Sequence, residues 1–218
     1  MNKMRVGVLG LFALLAACGS IRPPPETTEE GLVRVPSRPE GGVYRRPDVD
    51  FMRYKRLVIE PLTVEFIKGW RKQHPDVSNS EVRRIEAETA KNFLEVFTGI
   101  LVDEGPFELA EVREADVLFV VPRMLDLKIP APETEFDAGF SSHSPRLVSM
   151  EMTGELRDGA TGDIVLRVNM IESEDRLKVN HSSASNRVSN AHEIRGSLER
   201  WSRLVREAID VAKTSKPR

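Results

Sequence analysis

Two short runs place a nucleophile type beside a base type: Ser141-Ser142-His143 and His181-Ser182-Ser183. Serine hydrolysis needs a hydroxyl, an imidazole and a carboxylate that converge in space, and chain neighbours seldom aim at one another. No Gly-x-Ser-x-Gly elbow is present to raise a serine on a strand-to-helix turn. The other histidines, His74 and His192, show no ligand spacing such as His-x3-His, so no metal centre is expected. Asp48 and Asp50 flank Val49, but Ca²⁺ takes roughly six to eight oxygens. Asp50 is expected to cap a turn instead, with Phe51 and Tyr54 pinning the chain to the domain. These groups assemble no catalytic constellation, and no cofactor is expected.

Aromatic residues in polar loops are the candidates for recognition. Trp70 sits in Gly69-Trp70-Arg71-Lys72, either as an exposed binding anchor or as a lid over the core. Phe136 and Phe140 lie in a second polar stretch. Long loops in a compact domain are functional or disordered, so a partner surface is expected on segments 67–77, 130–146 and 176–190. At least one of Trp70, Phe136 and Phe140 is expected to be exposed and to touch a partner.

Cys18 carries a different chemistry. Lys3 and Arg5 open the chain, an apolar run spans Val6 to Leu15, and Leu15-Ala16-Ala17-Cys18 follows. The run is shorter than the roughly 20 apolar residues that cross a bilayer. A basic start, a short apolar run and small residues before a cut are the parts of an export signal. The tetrapeptide resembles a bacterial lipobox, which implies cleavage before Cys18, a diacylglyceryl thioether on its sulfur and acylation of the new amine. Cys18 is the single cysteine, so no intramolecular disulfide forms. Two or three acyl chains hold a protein on a membrane almost permanently. In enterobacterial lipoproteins an Asp after the cysteine favours inner-membrane retention. Gly19 therefore leans towards the outer membrane, with the inner membrane as the other outcome.

Residues 1–17 thus read as signal peptide, and 18–47 as the lipidated cysteine with a disordered tether containing Pro23, Pro24, Pro25, Pro36, Pro39 and Pro47. Such a tether would reach on the order of 90 Å extended, or roughly 30 Å as a coil. Residues 48–218 read as one globular domain. Without Lys3 and Arg5 the chain has 30 basic and 34 acidic residues, a charge of −4, which argues against a nucleic-acid binder.

The elements are legible in outline. Arg56–Phe66 is a strand candidate interrupted at Pro61, and Gly69–Val77 is a polar loop. Ser78 with Glu81 reads as a capping box, followed by Val82, Ile85, Thr89, Phe93, Val96, Phe97, Ile100 and Leu101 on one helical face. Phe107–Val112 and Val117–Ile129 are strands, the second bulged at Pro122. Leu147–Arg157 and Asp163–Ser173 form a hairpin whose turn is capped by Asp158, with a positive φ at Gly162. A last helix, 191–213, buries Ile194, Leu198, Trp201, Val205, Ala208 and Ala212, and Glu199 faces Arg203. The order β-α-β-β-β-β-α gives an α+β fold: a single mixed, largely antiparallel sheet with two long helices on one face.

Together, Pro47-Asp48-Val49-Asp50-Phe51, Tyr54, the strand Val58-Ile59-Glu60-Pro61, the Glu155–Gly162 turn and Trp201 are similar to the bacterial lipoproteins grouped as domain of unknown function 3313. That resemblance spans most of the chain after the tether and implies no activity or catalytic residue. The expected role is a non-enzymatic, membrane-anchored, periplasm-facing lipoprotein that binds a protein partner or scaffolds an envelope complex. The alternatives are a small-molecule or lipid carrier and, behind it, an envelope hydrolase.

Overall fold

The computed structural model describes residues 25–36, 41–129, 148–172 and 187–215. The strands are β1 (Val33–Val35), β2 (Gly41–Arg45), β3 (Arg56–Ile59), β4 (Thr63–Phe66), β5 (Glu108–Leu109), β6 (Val117–Lys128), β7 (Ser149–Asp158) and β8 (Ile164–Glu172). The helices are a single turn α1 (Trp70–Gln73), α2 (Asn79–Thr98) and α3 (Arg187–Thr214). One eight-stranded sheet runs β1-β2-β8-β7-β6-β3-β5, with β4 also paired to β6. The expected mixed sheet with two long helices is what forms: β3, β4 and β6 are parallel across the α2 crossover, and β6, β7, β8, β2 and β1 are antiparallel.

Local chemistry sets the helix ends and the hairpin. Ser78 Oγ accepts the Glu81 amide at 3.1 Å, satisfying an orphan N–H at the start of α2. The helix then widens into a π turn, Gly99–Asp103, where the Glu104 amide donates to Gly99 O, before Gly105. In the β7–β8 turn, Asp158 Oδ1 accepts the amides of Ala160 (3.0 Å) and Thr161 (2.8 Å), and Gly162 takes φ +79°. Asp50 Oδ1 accepts the Met52 amide at 2.9 Å, and Phe51 and Tyr54 are buried beside it. Asp50 is therefore the expected turn cap.

Both long helices cover the same sheet face. Trp201 of α3 lies 5.9 Å from Phe93 and 5.8 Å from Phe97 of α2, ring to ring, and rests on Gly154 of β7. Leu57, Leu118, Val120 and Leu198 join that core; Ile59 is only partly buried against it. The opposite sheet face is polar, with Glu155–Arg157, Glu155–Arg167 and Glu65–Arg123 ion pairs.

Three expectations require correction. The second half of the segment read as tether is sheet: β1 and β2 fall within 18–47, and Val43 pairs with Val168 while Gly42 pairs with Asn169. The prolines suggested coil, but the β8 edge supplies ladder partners that local composition does not reveal. The ordered domain thus begins before residue 48. The β6 bulge lies between Leu125 and Lys128, around Asp126 at φ +50°, and not at Pro122. Val120 O accepts the Glu60 amide, so alternate β6 backbone groups face β3, and Pro122, two residues on, faces the gap between β3 and β4 where Pro61 sits. Its missing N–H leaves no ladder bond broken there. Finally, Glu199 pairs with Arg195 at 3.6 Å, and Arg203 approaches Glu104 at 4.0 Å.

Candidate functional site

The topology gathers the long connections at one end of the sheet. Lys128 pairs with Ser149, Met150 with Glu172, Gly41 with Met170, and Phe66 with Leu127. Segments 67–77, 130–147 and 173–186 all attach to these positions, and α2 and α3 both begin there. We term this the loop end.

A cleft opens at the loop end between the first turns of α2 and α3. It encloses about 420 Å³ out to open solvent. Ile85, Ile129 and Ile194 line its buried part, and Thr89 and Asn190 supply buried polar walls. Its rim carries Glu81, Arg84 and Glu88. Arg84 binds Glu81 at 2.5 Å and Glu88 at 2.6 Å, and these bonds hold its guanidinium firmly protonated. The described rim is thus an ion-paired cluster above an apolar floor. Its described lining holds no serine, histidine or cysteine, hence no nucleophile–base pair. Nor do three His, Cys, Asp or Glu side chains gather as a metal would need, among the described residues.

The predicted recognition residues fare differently. Trp70 is not an exposed anchor: it is 1% exposed, and its indole N–H donates to Ile129 O at 2.8 Å. Phe66 lies against it at 4.5 Å and His74 stacks on it at 4.6 Å, so it is the lid over the core. Gly69 at φ +89° turns the chain to bring it in. Phe136, Phe140, Cys18 and both serine–histidine runs lie outside the described residues. His192 is exposed.

The cleft itself was not anticipated. A signal was present: Glu81, Arg84, Ile85, Glu88 and Thr89 recur at three- and four-residue spacing, which puts them on one side of a helix. What that spacing could not supply was the far wall, Ile129 and Ile194, from two other elements.

A second buried polar cluster lies at the opposite end. Tyr54 donates its hydroxyl to Asp158 Oδ2 at 2.8 Å, and Arg53 ion-pairs with the same carboxylate. With its other oxygen taken by two backbone amides, Asp158 is fully occupied as a structural anchor.

No family model matches this chain, and no curated protein sequence matches it. Among solved structures, it is similar to a putative neuraminyllactose-binding hemagglutinin homolog from Helicobacter pylori, at 14% identity and TM-score 0.41, covering 76% of this chain and 90% of that one. It is also similar to the PelC dodecamer from Paraburkholderia phytofirmans, at 10% identity and TM-score 0.37, covering 78% of this chain and 97% of that one. At these scores neither neighbour's role transfers to this chain.

Proposed function

We propose that the chain is a lipid-anchored, periplasm-facing lipoprotein without catalytic activity, which binds a protein partner in an envelope complex, at the outer membrane. The observation that carries this reading is the Leu15-Ala16-Ala17-Cys18 sequence behind a basic start and a short apolar run. The space a carrier would use between sheet and helices is filled by Trp201, Phe93, Phe97, Leu198 and Met152, all buried, which favours a binding module over a carrier. Partner contact is assigned to the loop end, where the segment bearing Phe136 and Phe140 attaches.

The test is Cys18→Ser. Lipid labelling should stop, and the domain should move to the soluble periplasmic fraction. A Cys18→Ser chain that keeps its lipid and still sediments with membranes would sink this reading. In-cell crosslinking from His192, which is exposed, should capture a protein that Cys18→Ser no longer reaches efficiently.

The carrier reading retains one observation in its favour, the cleft between α2 and α3 with its isoleucine floor. Ile85→Trp would fill it. Loss of a co-purifying small molecule, with partner capture intact, would favour the carrier.

A further inference from the structure

Cys18 and the first described residues lie close together along the chain. Only residues 19–24 separate Cys18 from Pro25, where the described fold begins. Seven Cα–Cα steps span at most about 25 Å, at roughly 3.6 Å each. Thr27 is bridged antiparallel to Val33, and the Arg34 amide donates to Glu26 O at 2.9 Å. Because β1 runs towards the loop end, residues 25–27 run away from it, and the chain enters the fold from the loop-end side. With Cys18 lipidated as proposed above, this short linker would keep the domain near the bilayer instead of letting it stand far off.

The loop end also carries a basic corner that forms no ion pair among the described residues. The Ile67 amide donates to Leu127 O, and Trp70 is pinned to Ile129 O, so residues 67–72 are fixed there. Lys68, Arg71 and Lys72 are exposed, as is Ile67 at 37%. Arg71 donates to neutral acceptors, Val77 O at 3.1 Å and Asn79 Oδ1 at 2.6 Å, which leave its charge unbalanced. Lys68 and Lys72 have no ion pair among the described residues, and Asp76 is the single acid between Lys68 and Val77. On the sheet's outer face, by contrast, Arg123, Arg157 and Arg167 are each paired to a carboxylate.

We infer that this corner, Ile67, Lys68, Arg71 and Lys72, rests on anionic lipid headgroups and turns the loop end towards the membrane that holds Cys18. The inference rests on the lipidation proposed above. Attraction between basic side chains and an anionic leaflet fades over about a Debye length, roughly 10 Å at 0.1 M salt. The linker joins the fold at the β1 edge, five strand spacings or about 24 Å from β4, so it limits how far the loop end can stand off while the charge of the corner itself supplies the attraction.

The test separates the corner from the anchor. The chain from residue 18 carrying Cys18→Ser is mixed at low salt with vesicles of phosphatidylglycerol and phosphatidylcholine in equal parts, and with phosphatidylcholine alone. It should be retained by the first and not the second, and be released at about 1 M salt, where the Debye length is about 3 Å. Lys68→Glu with Lys72→Glu, which spares the Arg71 hydrogen bonds, should lower retention about tenfold or more. Arg83→Glu with Lys91→Glu on exposed α2 positions should not. Thermal melts confirm that each variant is folded. Absent retention, equal retention on both vesicles, or full retention by the folded Lys68→Glu/Lys72→Glu chain would overturn the inference. The mass of native Cys18 reads lipidation separately, so failure of the anchor and failure of the corner are distinct results.

Discussion

Trp201 lies so close to Gly154 that no side chain fits between them: a Cβ on Gly154 would overlap the indole Cζ2 and stand 2.8 Å from Cη2. The indole is also held by its N–H, which donates to Val168 O on β8 at 3.3 Å. Glycine in a strand ordinarily weakens it, so its presence here is a packing requirement of the helix α3 seam. Gly154→Ala should destabilise the fold by about 1–3 kcal/mol through overpacking. Trp201→Ala should cost about 3–5 kcal/mol by leaving a cavity. The double variant should cost less than the sum, because the new methyl enters the vacated space. Urea unfolding of the four proteins measures the coupling, and strict additivity would mean that the two residues do not share one site.

Tyr54 and Asp158 form the corresponding lock at the other end. Asp158 is 2% exposed and receives Tyr54, Arg53 and two turn amides. Asp158→Ala should cost about 3–5 kcal/mol, since it breaks a buried charge cluster. Tyr54→Phe removes two hydrogen bonds, the one donated to Asp158 and the one accepted from Arg53 at 3.1 Å, and should cost about 1–3 kcal/mol. Burial pushes the Tyr54 phenol above its ordinary value near 10, against the pull of Arg53. The folded state therefore holds this proton more tightly than the unfolded chain does, and the stabilisation is lost as pH rises above about 10. Tyr54→Phe should flatten that alkaline loss in a pH series of melting temperatures. An unchanged slope would place the loss elsewhere.

Trp70 separates folding from recognition. Trp70→Phe keeps the ring between Phe66 and His74 but loses the bond to Ile129 O, at a cost of about 1 kcal/mol. Trp70→Ala should cost about 3–5 kcal/mol. Both should reduce partner capture only in proportion to unfolded protein. Capture lost from a Trp70→Phe chain with near-native melting would restore Trp70 to the interface.

The elements that could be read in advance are those whose causes are local. The α2 and α3 stripes follow a helical period, Ser78 caps the amide three residues on, and Asp158 caps its own turn. What could not be read depends on distant partners. Gly41 and Gly42 have little strand propensity, and they form β2 because Met170 and Asn169 stand opposite. Trp70 is buried by contact with Ile129, 59 positions away. The candidate cleft was half visible: its Glu81–Arg84–Glu88 rim is a helical spacing, whereas its floor joins three elements.

The final prediction concerns how the N-terminal segment is held. Glu30 accepts from Arg167 at 2.8 Å, clamping the hairpin of residues 25–35 against the sheet. This bond, with help from a backbone amide and Thr28, lowers the Glu30 carboxyl from 4.5 to about 2. A depressed carboxylate contributes stability that is present above its unfolded value and is lost as pH falls through its folded one. The hairpin should therefore loosen between about pH 4.5 and pH 2, while α2 and α3 persist. Glu30 remains 41% exposed, so salt should weaken the clamp even at neutral pH. Hydrogen exchange at the Arg34 amide, which is bonded to Glu26 O, reads the clamp directly. Protection there should fall in acid or high salt, and Glu30→Gln should show reduced protection at neutral pH with little further acid dependence. Release would also free residues 25–35 as linker and extend the reach between Cys18 and β2. If Cys18 carries the lipid proposed above, the protein in vesicles should then show a larger membrane-to-domain distance with Glu30→Gln than with the native chain. If Arg34 protection is the same at pH 6 and pH 2, Glu30 is not the clamp, and pairing of β1 with β2 alone holds the hairpin.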